Sequence, residues 1–293
     1  MWNFDYCSTG AISALLNENG LSMTKRFGQN FLVSSSALEK IAGLSGAKAG
    51  TKVWEIGPGI GALTSCLIKT GADVTAFEID HGFCRILSEK AFHDTPNFTL
   101  IEGDVLKTWE NEFSAGKAPD VICANLPYNV GSVLIASLIE ERCIPELMVF
   151  TLQSEVVRRI CAKTGDNQYS GFSVLTAMDY DSTEVMKLKP GCFWPAPNVD
   201  SSVVVMKKKT QSIVEEDLAD QFISLVRILF SQRRKTIKNN LRTLYASATV
   251  EQILAKCKLS GLERAETLSP EEIRELALTL RSHLKHQSIS HPV

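Results

Sequence analysis

The 293-residue sequence contains no hydrophobic run long enough to cross a membrane, since even the mostly apolar residues 133–139 fall far short of the ~20 residues that a membrane-spanning helix needs. No basic residue precedes Lys25, so the N-terminal segment also lacks the positive charge of a secretory signal. We therefore expect a cytoplasmic protein without a membrane-spanning segment.

The sequence also lacks any pair of cysteines in C-x-x-C spacing. Its eight cysteines are scattered along the chain, at Cys7, Cys66, Cys84, Cys123, Cys143, Cys161, Cys192 and Cys257. Such a distribution gives no sign of a zinc site or a redox pair. We expect reduced thiols and no metal.

There is no excess of positive charge, because 31 basic and 33 acidic residues give a formal net charge of −2. This balance argues against a protein that binds polyanions over its whole surface. The charge is nevertheless uneven: residues 1–206 carry 16 basic and 23 acidic residues, a net charge of −7, whereas residues 207–293 carry 15 and 10, a net charge of +5. We expect a catalytic domain over residues 1–206 and a basic domain over residues 207–293.

The spacing of apolar segments indicates the fold. Residues 1–24 show no helical or strand periodicity, whereas later segments of strand length alternate with segments of helix length. The segments of strand length are residues 53–56, 73–79, 98–101, 120–124 and 147–152, followed by two further extended stretches at 184–188 and 199–206. The alternation predicts an α/β fold with a parallel, doubly wound sheet. From Asp217 onward the pattern is helical, which predicts a small all-helical domain at the end of the chain.

A glycine-rich turn follows the first predicted strand of the sheet. Gly57, Gly59 and Gly61 remove side chains from this turn, so that a ligand can approach backbone N–H groups at the start of a helix. A tight strand–helix turn that binds nothing is the alternative interpretation.

Carboxylates lie at or just beyond the ends of the next two strands. Glu78, about twenty residues beyond the glycines, can accept the hydroxyl hydrogens of a ribose, and Asp104 can accept from an adenine amino group. A solvated surface glutamate is the other interpretation of Glu78. Because the glycines are spaced G-P-G-x-G and not G-x-G-x-x-G, the pattern favours S-adenosylmethionine over a nicotinamide dinucleotide.

The fourth strand ends in Asn125-Leu126-Pro127-Tyr128. The side-chain oxygen of Asn125 and the carbonyl of Leu126, exposed by the stiff turn at Pro127, can each accept one N–H of an adenine amine. The ring of Tyr128 can stack on the base. This chemistry needs alignment and no catalytic histidine, so we expect methyl transfer to an adenine amine. A proline turn without a ligand is the alternative.

A basic segment lies in the predicted helical domain. Lys235, Lys238 and Arg242 are spaced i, i+3 and i+7, with Arg233 and Arg234 directly before them. We expect these residues to contact RNA phosphates. The opposite helical face is expected to pack through its apolar residues, Ile237, Leu241 and Leu244. A merely solvated charged face is the alternative.

Several separated motifs resemble the small-subunit ribosomal RNA adenine N6-dimethyltransferase family of the KsgA/RsmA type. In chain order they are Lys25–Leu32, Glu55–Gly59, Asn125–Tyr128 and residues 152–156, 193–201, 231–236 and 264–266. The resemblance implies a Rossmann-like, seven-stranded S-adenosylmethionine-dependent methyltransferase domain with a C-terminal helical domain.

The resemblance also implies particular residue roles. Cofactor contacts carry over to Asn30, Leu32, Gly57, Glu78, Asp104 and Asn125. Phe193 is similar to a residue that covers the second face of the target base, opposite Tyr128, although a core phenylalanine is an equal alternative. The implied substrate is a pair of adjacent adenosines in the 3′-terminal hairpin of small-subunit rRNA, within an assembling 30S subunit, and we expect the enzyme to be a monomer.

Two features depart from the family pattern. One is Gly131, a residue that affects the rigidity of the loop after Tyr128. The other is the slightly acidic pI of about 6.2.

Two alternative functions remain. One is a large-subunit rRNA methyltransferase of the antibiotic-resistance type, which Leu126 and the motif at residues 264–266 disfavour. The other is a non-catalytic nucleic-acid-binding assembly or transcription factor that kept the fold.

Overall fold

The computed structural model describes residues 2–21 and 30–289. Its strands are β1 (Phe31–Leu32), β2 (Lys52–Ile56), β3 (Asp73–Glu78), β4 (Phe98–Glu102), β5 (Val121–Asn125), β6 (Leu147–Gln153), β7 (Tyr180–Leu188), β8 (Phe193–Trp194) and β9 (Ser201–Lys208). Its α-helices are α1 (Thr9–Glu18), α2 (Ser35–Leu44), α3 (Ala62–Lys69), α4 (His81–Ile86), α5 (Val105–Ser114), α6 (Gly131–Glu140), α7 (Ser154–Cys161), α8 (Gly171–Asp179), α9 (Ala219–Leu229), α10 (Ile237–Leu241), α11 (Ser247–Lys256) and α12 (Pro270–Ile289).

A seven-stranded sheet in the order β4-β3-β2-β5-β6-β9-β7 confirms the predicted α/β class. The five strands from β4 to β6 pair in parallel, as expected from the strand–helix alternation. The sheet is not parallel throughout, because β9 pairs antiparallel with β6. The strand order reverses between β2 and β5, and in open α/β sheets such a reversal creates a crevice beyond the carboxyl ends of the strands.

The N-terminal segment, which shows no periodicity in the sequence, contains helix α1. Helix α1 is capped by the Ser8 side chain, which accepts a hydrogen bond from the backbone N–H of Ala11. Its buried residues Ile12, Leu15 and Leu16 fall at helical spacing and pack against a small cluster that includes Phe31 and Phe83. The sequence shows no periodicity over residues 1–24, because three buried positions in a ten-residue helix are too few to stand out in a sequence window.

A second, two-stranded sheet joins parts of the chain that are far apart in sequence. In this antiparallel pair Phe31 lies opposite Trp194, and Leu32 lies opposite Phe193. The rings of Phe31 and Trp194 stack, with centroids 6.4 Å apart. The pairing therefore places Phe193 beside Leu32.

The chain forms two compact units. The first comprises residues 1–138, 143–157 and 183–208, and the second comprises residues 139–142, 158–182 and 209–293. The proposed domain boundary after Met206 lies two residues before the last segment of the first unit ends. The second unit also includes two segments that precede that boundary.

The second unit contains a helical core, as expected for the end of the chain. Helix α12 contacts α8, α9 and α11, and the buried apolar side chains of these helices include Phe222, Leu225, Leu254, Ile273 and Leu276. Arg142 forms a two-pronged ion pair with the buried Asp179, at 2.6 and 3.1 Å. Within residues 2–21 and 30–289, no helix combines the length and the hydropathy needed to cross a bilayer.

Candidate active site and RNA-binding surface

A cavity of about 350 Å³ opens in the first unit, at the carboxyl ends of the central strands. Residues after β2, β3, β4 and β5 line it, together with the β1 and β8 pair. It therefore lies at the reversal of strand order, where a ligand of an α/β sheet is expected. The residues to which the resemblance assigns cofactor contacts, together with those proposed to meet the base, line this cavity: Asn30, Leu32, Gly57, Glu78, Asp104, Asn125, Leu126, Pro127, Tyr128 and Phe193. Lys25 to Gln29, the first part of the proposed cofactor motif, lie outside the described residues.

The glycine turn after β2 forms one wall of the cavity. Gly57 and Gly59 adopt φ values of 66° and 60°, in the left-handed region that favours glycine. A Cβ atom on Gly57 would lie 3.3 Å from Pro127, and one on Gly59 would lie 3.0 Å from the ring of Phe31. Gly61 does not line the cavity. Glycine is needed there for close packing, because a Cβ atom at this position would lie 2.7 Å from the ring of Phe92. Only two of the three glycines thus border the ligand space.

Glu78 is anchored at the end of β3 by two backbone donors. Its Oε2 accepts a hydrogen bond from the N–H of Gly59 at 3.0 Å, and its Oε1 accepts one from the N–H of Asp80 at 2.9 Å. The side chain is only 5% exposed, which excludes the interpretation of a solvated surface glutamate. Burial raises the pKa of Glu78 to about 7. Because each carboxylate oxygen can accept a second hydrogen bond, Glu78 retains acceptor capacity for a ligand hydroxyl.

Glu55 is a second buried carboxyl group in the wall of the cavity, at the penultimate position of β2. Its Oε2 atom has no hydrogen-bond partner in the described part of the chain. Burial, with a further contribution from the charge of Glu78, raises the pKa of Glu55 to about 8. A buried acceptor without a partner beside a cavity fits a ligand group that donates hydrogens. The sequence offered a signal for it, since a carboxylate inside an apolar strand is unusual.

Asp104 begins helix α5 beyond the end of β4. Its Oδ1 caps the helix by accepting from the N–H of Leu106 at 3.1 Å. The side chain is half-buried and lines the cavity, so one carboxylate oxygen is used for capping and the other is available to a ligand. Asp104 therefore caps α5 and keeps one carboxylate oxygen for the binding role that the sequence predicts.

The side-chain amide of Asn125 is oriented by the backbone of Asn30. Its Nδ2 donates a hydrogen bond to the carbonyl oxygen of Asn30 at 3.2 Å. Since the amide nitrogen is held in this way, the Oδ1 atom is left as the acceptor, and no donor to it is found within the described residues. Asn30, proposed from sequence as a cofactor contact, thus also positions the side chain that we expect to meet the substrate amine.

The loop after Asn125 packs against strand β6. Leu126 is 2% exposed, and its N–H donates to the carbonyl of Thr151 in β6 at 3.2 Å. Gly131, the first residue of α6, is packed closely: a Cβ atom there would lie 2.3 Å from the Cδ2 atom of Leu152. The glycine therefore allows the loop to approach the sheet, and packing against Leu152 and Leu126 limits its freedom.

Two aromatic residues border the cavity near Asn125. The hydroxyl group of Tyr128 forms a hydrogen bond of 2.6 Å with the hydroxyl group of Ser201, at the start of β9. Burial raises the pKa of Tyr128. Phe193 is 4% exposed and belongs to the hydrophobic core while it also lines the cavity, so the two interpretations of this residue are compatible. Ser201 lies within the motif at residues 193–201, but no local pattern in the sequence links it to Tyr128, 73 positions away.

The basic segment of the second unit differs from the helix that its spacing predicts. Helix α10 covers only Ile237–Leu241 and is capped by Thr236, so Lys235 precedes it. Ile237 and Leu241 are buried as predicted, but the expectation that Leu244 packs is wrong, since it is 67% exposed. The helix ends at Leu241, and the i, i+7 spacing therefore no longer places Leu244 beneath Ile237.

The basic side chains themselves differ in their partners. Lys238 and Arg242 both pair with Glu251 Oε1, at 3.1 and 3.0 Å, which neutralises part of their charge. Arg233 donates to the carbonyl of Asn167 at 3.1 Å, and Arg234 and Lys235 are exposed. Of the five basic residues proposed to contact RNA, the three at 233–235 are therefore the exposed ones that form no ion pair within the described part of the chain. No group of three or more metal-ligating side chains is found within the residues that the structure describes.

Comparison with known proteins identifies the family. A family model described as ribosomal RNA adenine dimethylase matches residues 20–281. The chain belongs to this family. By this family and its relatives, the chain is an S-adenosylmethionine-dependent rRNA methyltransferase. The resemblance proposed from the motifs is thereby confirmed.

Relatives of this rRNA adenine dimethylase are similar in sequence over nearly the whole length of both chains. A ribosomal RNA small subunit methyltransferase A from Treponema denticola is 41% identical over 270 residues, which cover 90% of this chain and 92% of the relative. The protein of the same name from Borreliella burgdorferi is 38% identical over 282 residues, covering 96% and 97% of the two chains. These relatives favour the small-subunit interpretation over the large-subunit alternative.

Solved structures agree with the fold. A dimethyladenosine transferase from Plasmodium falciparum is 26% identical, covers 85% of this chain and 96% of its own, and superposes with a TM-score of 0.71. The 23S rRNA methyltransferase ErmE is 24% identical and superposes with a TM-score of 0.62 over 85% of this chain and 99% of its own. The second likeness bears on the fold alone. Both support the methyltransferase fold predicted from the sequence.

Proposed function

We propose that this rRNA adenine dimethylase transfers methyl groups from S-adenosylmethionine to the N6 amines of two adjacent adenosines in the 3′-terminal hairpin of small-subunit rRNA. The observation that carries the proposal is the orientation of Asn125, whose amide nitrogen is engaged by the Asn30 carbonyl while its oxygen is left to accept. An amide oxygen held at the edge of a nucleoside-sized cavity is suited to an adenine amine.

The residues around the cavity fit the cofactor. Glu78 can accept from the ribose hydroxyls, and Asp104 can accept from the adenine amino group. The partnerless Oε2 atom of Glu55 fits the ammonium group of the methionine moiety. When bound, S-adenosylmethionine supplies an electrophilic methyl group on a positively charged sulfur. Gly57 and Asn30 complete the binding set, and Leu32 adds an apolar surface.

The target amine has to be made available for attack, because its lone pair is delocalised into the adenine ring. The Oδ1 atom of Asn125 and the carbonyl oxygen of Leu126 each accept one N–H, which draws the hydrogens to one side and turns the lone pair towards the methyl carbon. Pro127 fixes the backbone between these two acceptors. No side chain has to remove the proton before attack, since the amine reacts in its neutral form.

The base itself is held between aromatic rings. Tyr128 and Phe193 both line the cavity next to Asn125, and each can cover one face of a base that has left its helical stack. Stacking offsets part of the free energy needed to unstack the base. Packing between two rings also fixes the plane of the purine relative to the two acceptors.

The substrate is proposed to be held by the second unit through Arg233, Arg234, Lys235, Lys238 and Arg242. The exposed guanidinium and ammonium groups at residues 233–235 can contact phosphates, and the target is recognised chiefly by shape. We further propose that the enzyme acts as a monomer on an assembling 30S subunit in the cytoplasm.

A direct test is to incubate the enzyme with immature small subunits and labelled S-adenosylmethionine, and then to map the methylated bases. We expect two dimethyladenosines at adjacent positions in the 3′-terminal hairpin, and none in a matched reaction with large subunits. Label confined to large-subunit RNA would instead support the antibiotic-resistance type of activity. Absence of label in both reactions would support a non-catalytic role and would overturn the proposal.

A further inference from the structure

The hydrogen bond between Tyr128 and Ser201 connects the proposed base-stacking ring to the central sheet. The two hydroxyl oxygens lie 2.6 Å apart, although the residues are 73 positions apart in sequence. Ser201 is fully buried and pairs with Gln153 at the end of the antiparallel β6 and β9 strands. The hydroxyl group of Tyr128 is therefore hydrogen-bonded to strand β9, whereas its backbone belongs to the loop that carries Asn125.

The attachment point is itself fixed by a row of hydrogen bonds. Ser202, the next residue of β9, donates to Glu184 Oε1 at 2.8 Å. Since the single hydroxyl hydrogen of Ser202 is used in this bond, the 2.7 Å contact with Ser154 is a bond that Ser154 donates. The side chains of successive strand residues point to opposite faces. The Ser202 hydroxyl therefore bonds to Glu184 and Ser154 on one face, and the Ser201 hydroxyl bonds to Tyr128 on the other.

The two methyl transfers place different demands on this ring. In each transfer a bond forms between the amine nitrogen and the methyl carbon as the carbon–sulfur bond breaks; the bonding pair remains on sulfur, and one amine proton is lost to water. The unmodified amine has two N–H groups and can use both the Asn125 and the Leu126 acceptors. After the first transfer only one N–H remains, so one of the two hydrogen bonds that orient the amine is no longer available.

We propose that Ser201 is a positioning residue which, through Tyr128, holds the monomethylated base for the second methyl transfer. With one hydrogen bond lost, alignment of the lone pair depends more on the plane of the stacked purine. That plane is set by a ring whose hydroxyl end is held by Ser201. The inference rests on the proposed function, in which Tyr128 stacks on the target base.

The test measures single-turnover methylation of immature small subunits and separates N6-monomethyladenosine from N6,N6-dimethyladenosine by mass spectrometry. We expect Ser201→Ala to slow the second transfer by roughly two- to tenfold, the range that the loss of one hydrogen bond gives. The first transfer is expected to slow less, so that monomethyladenosine accumulates. Equal slowing of both transfers would overturn the proposal, because a general structural defect would leave the ratio of products unchanged.

A double-mutant cycle tests whether Ser201 acts through Tyr128. Tyr128→Phe keeps the ring but removes the bond, so it should raise the proportion of monomethyladenosine as Ser201→Ala does, and the double variant should be no worse than either single variant. Ser45→Ala is the control: it removes another buried hydroxyl of the first unit, which bonds to the backbone of Ala42 and Ala47 and not to Tyr128, and its effect should add to that of Tyr128→Phe. Additive effects of Ser201→Ala and Tyr128→Phe would overturn the proposal.

Two further results separate failure of this inference from a folding defect in Ser201→Ala and from failure of the proposed function. If Ser201→Ala does not fold, Tyr128→Phe alone provides the readout, and an unchanged ratio of products in that variant would contradict the inference. If the unaltered enzyme adds no methyl group to small-subunit RNA, it is the proposed function that fails. Failure of the inference is a different result, in which the unaltered enzyme dimethylates and the ratio does not respond to Ser201.

Discussion

The backbone N–H of Gly59 donates a 3.0 Å hydrogen bond to Glu78 Oε2, which links the glycine turn after β2 to the carboxylate at the end of β3. Two features that the sequence suggested separately are thus parts of one structure. Because the bond fixes the buried carboxylate against the turn, Glu78 presents its remaining lone pairs to the cavity without having to be ordered by the ligand.

We predict that Glu78→Gln lowers the affinity for S-adenosylmethionine about 10- to 100-fold, since a hydrogen bond to a charged acceptor contributes roughly 1.5–3 kcal/mol. Calorimetry measures the affinity, and a filter-binding assay should show unchanged RNA binding. Glu102→Gln is the control, because Glu102 lies opposite Glu78 in the neighbouring strand but does not line the cavity. Unchanged cofactor affinity in Glu78→Gln would contradict the ribose assignment.

Cofactor affinity should depend on pH near neutrality. Burial raises the pKa of Glu78 to about 7, and the ribose hydroxyls donate to the ionised form. The affinity should therefore be highest above pH 7 and fall below it, approaching about tenfold for each pH unit, because protons then compete with the ligand. In Glu78→Gln this contribution should disappear. An affinity that is flat between pH 6 and 8, or that rises as the pH falls, would show that the carboxylate does not receive the ribose.

The sequence predicted the central sheet and the residues at its edge because these features are local and repeated. Glu78, Asp104 and Asn125 each follow a recognisable strand, and parallel strands bring their carboxyl ends together. The two-residue strands β1 and β8 show no such pattern, since two positions cannot display a period. The contact between Tyr128 and Ser201 and the exposure of Leu244 also depend on where distant segments meet and where a helix ends.

Gly131→Ala should destabilise the enzyme, by about 1–3 kcal/mol, because the new Cβ would overlap Leu152 in a packed region. This cost exceeds the gain of up to about 1 kcal/mol that alanine brings to a helix. Gly43→Ala is the matched control, since a Cβ there meets no atom within 4 Å and the residue lies in α2. Urea denaturation should show opposite signs for the two variants. A stabilised Gly131→Ala variant would mean that Leu152 moves without cost.

Glu251→Gln should strengthen RNA binding. Glu251 pairs with both Lys238 and Arg242, and its removal frees two cations for phosphates. We expect affinity for small-subunit RNA to rise severalfold at low salt, with a steeper dependence on salt concentration. Glu271→Gln makes the same change of charge at another exposed position of the second unit and should have a smaller effect. Equal effects of the two variants would indicate that net charge alone governs binding.

Asn125, as the residue that aligns the target amine, is central to the proposed function. Its test is the single-turnover rate of methyl transfer by Asn125→Ala, measured with saturating S-adenosylmethionine and saturating immature small subunits so that binding does not limit the rate. We predict a rate at least about 100-fold lower than that of the unaltered enzyme, because the preorganised acceptor is lost. A rate within a few-fold of the unaltered enzyme would contradict the proposed role of Asn125 in methyl transfer.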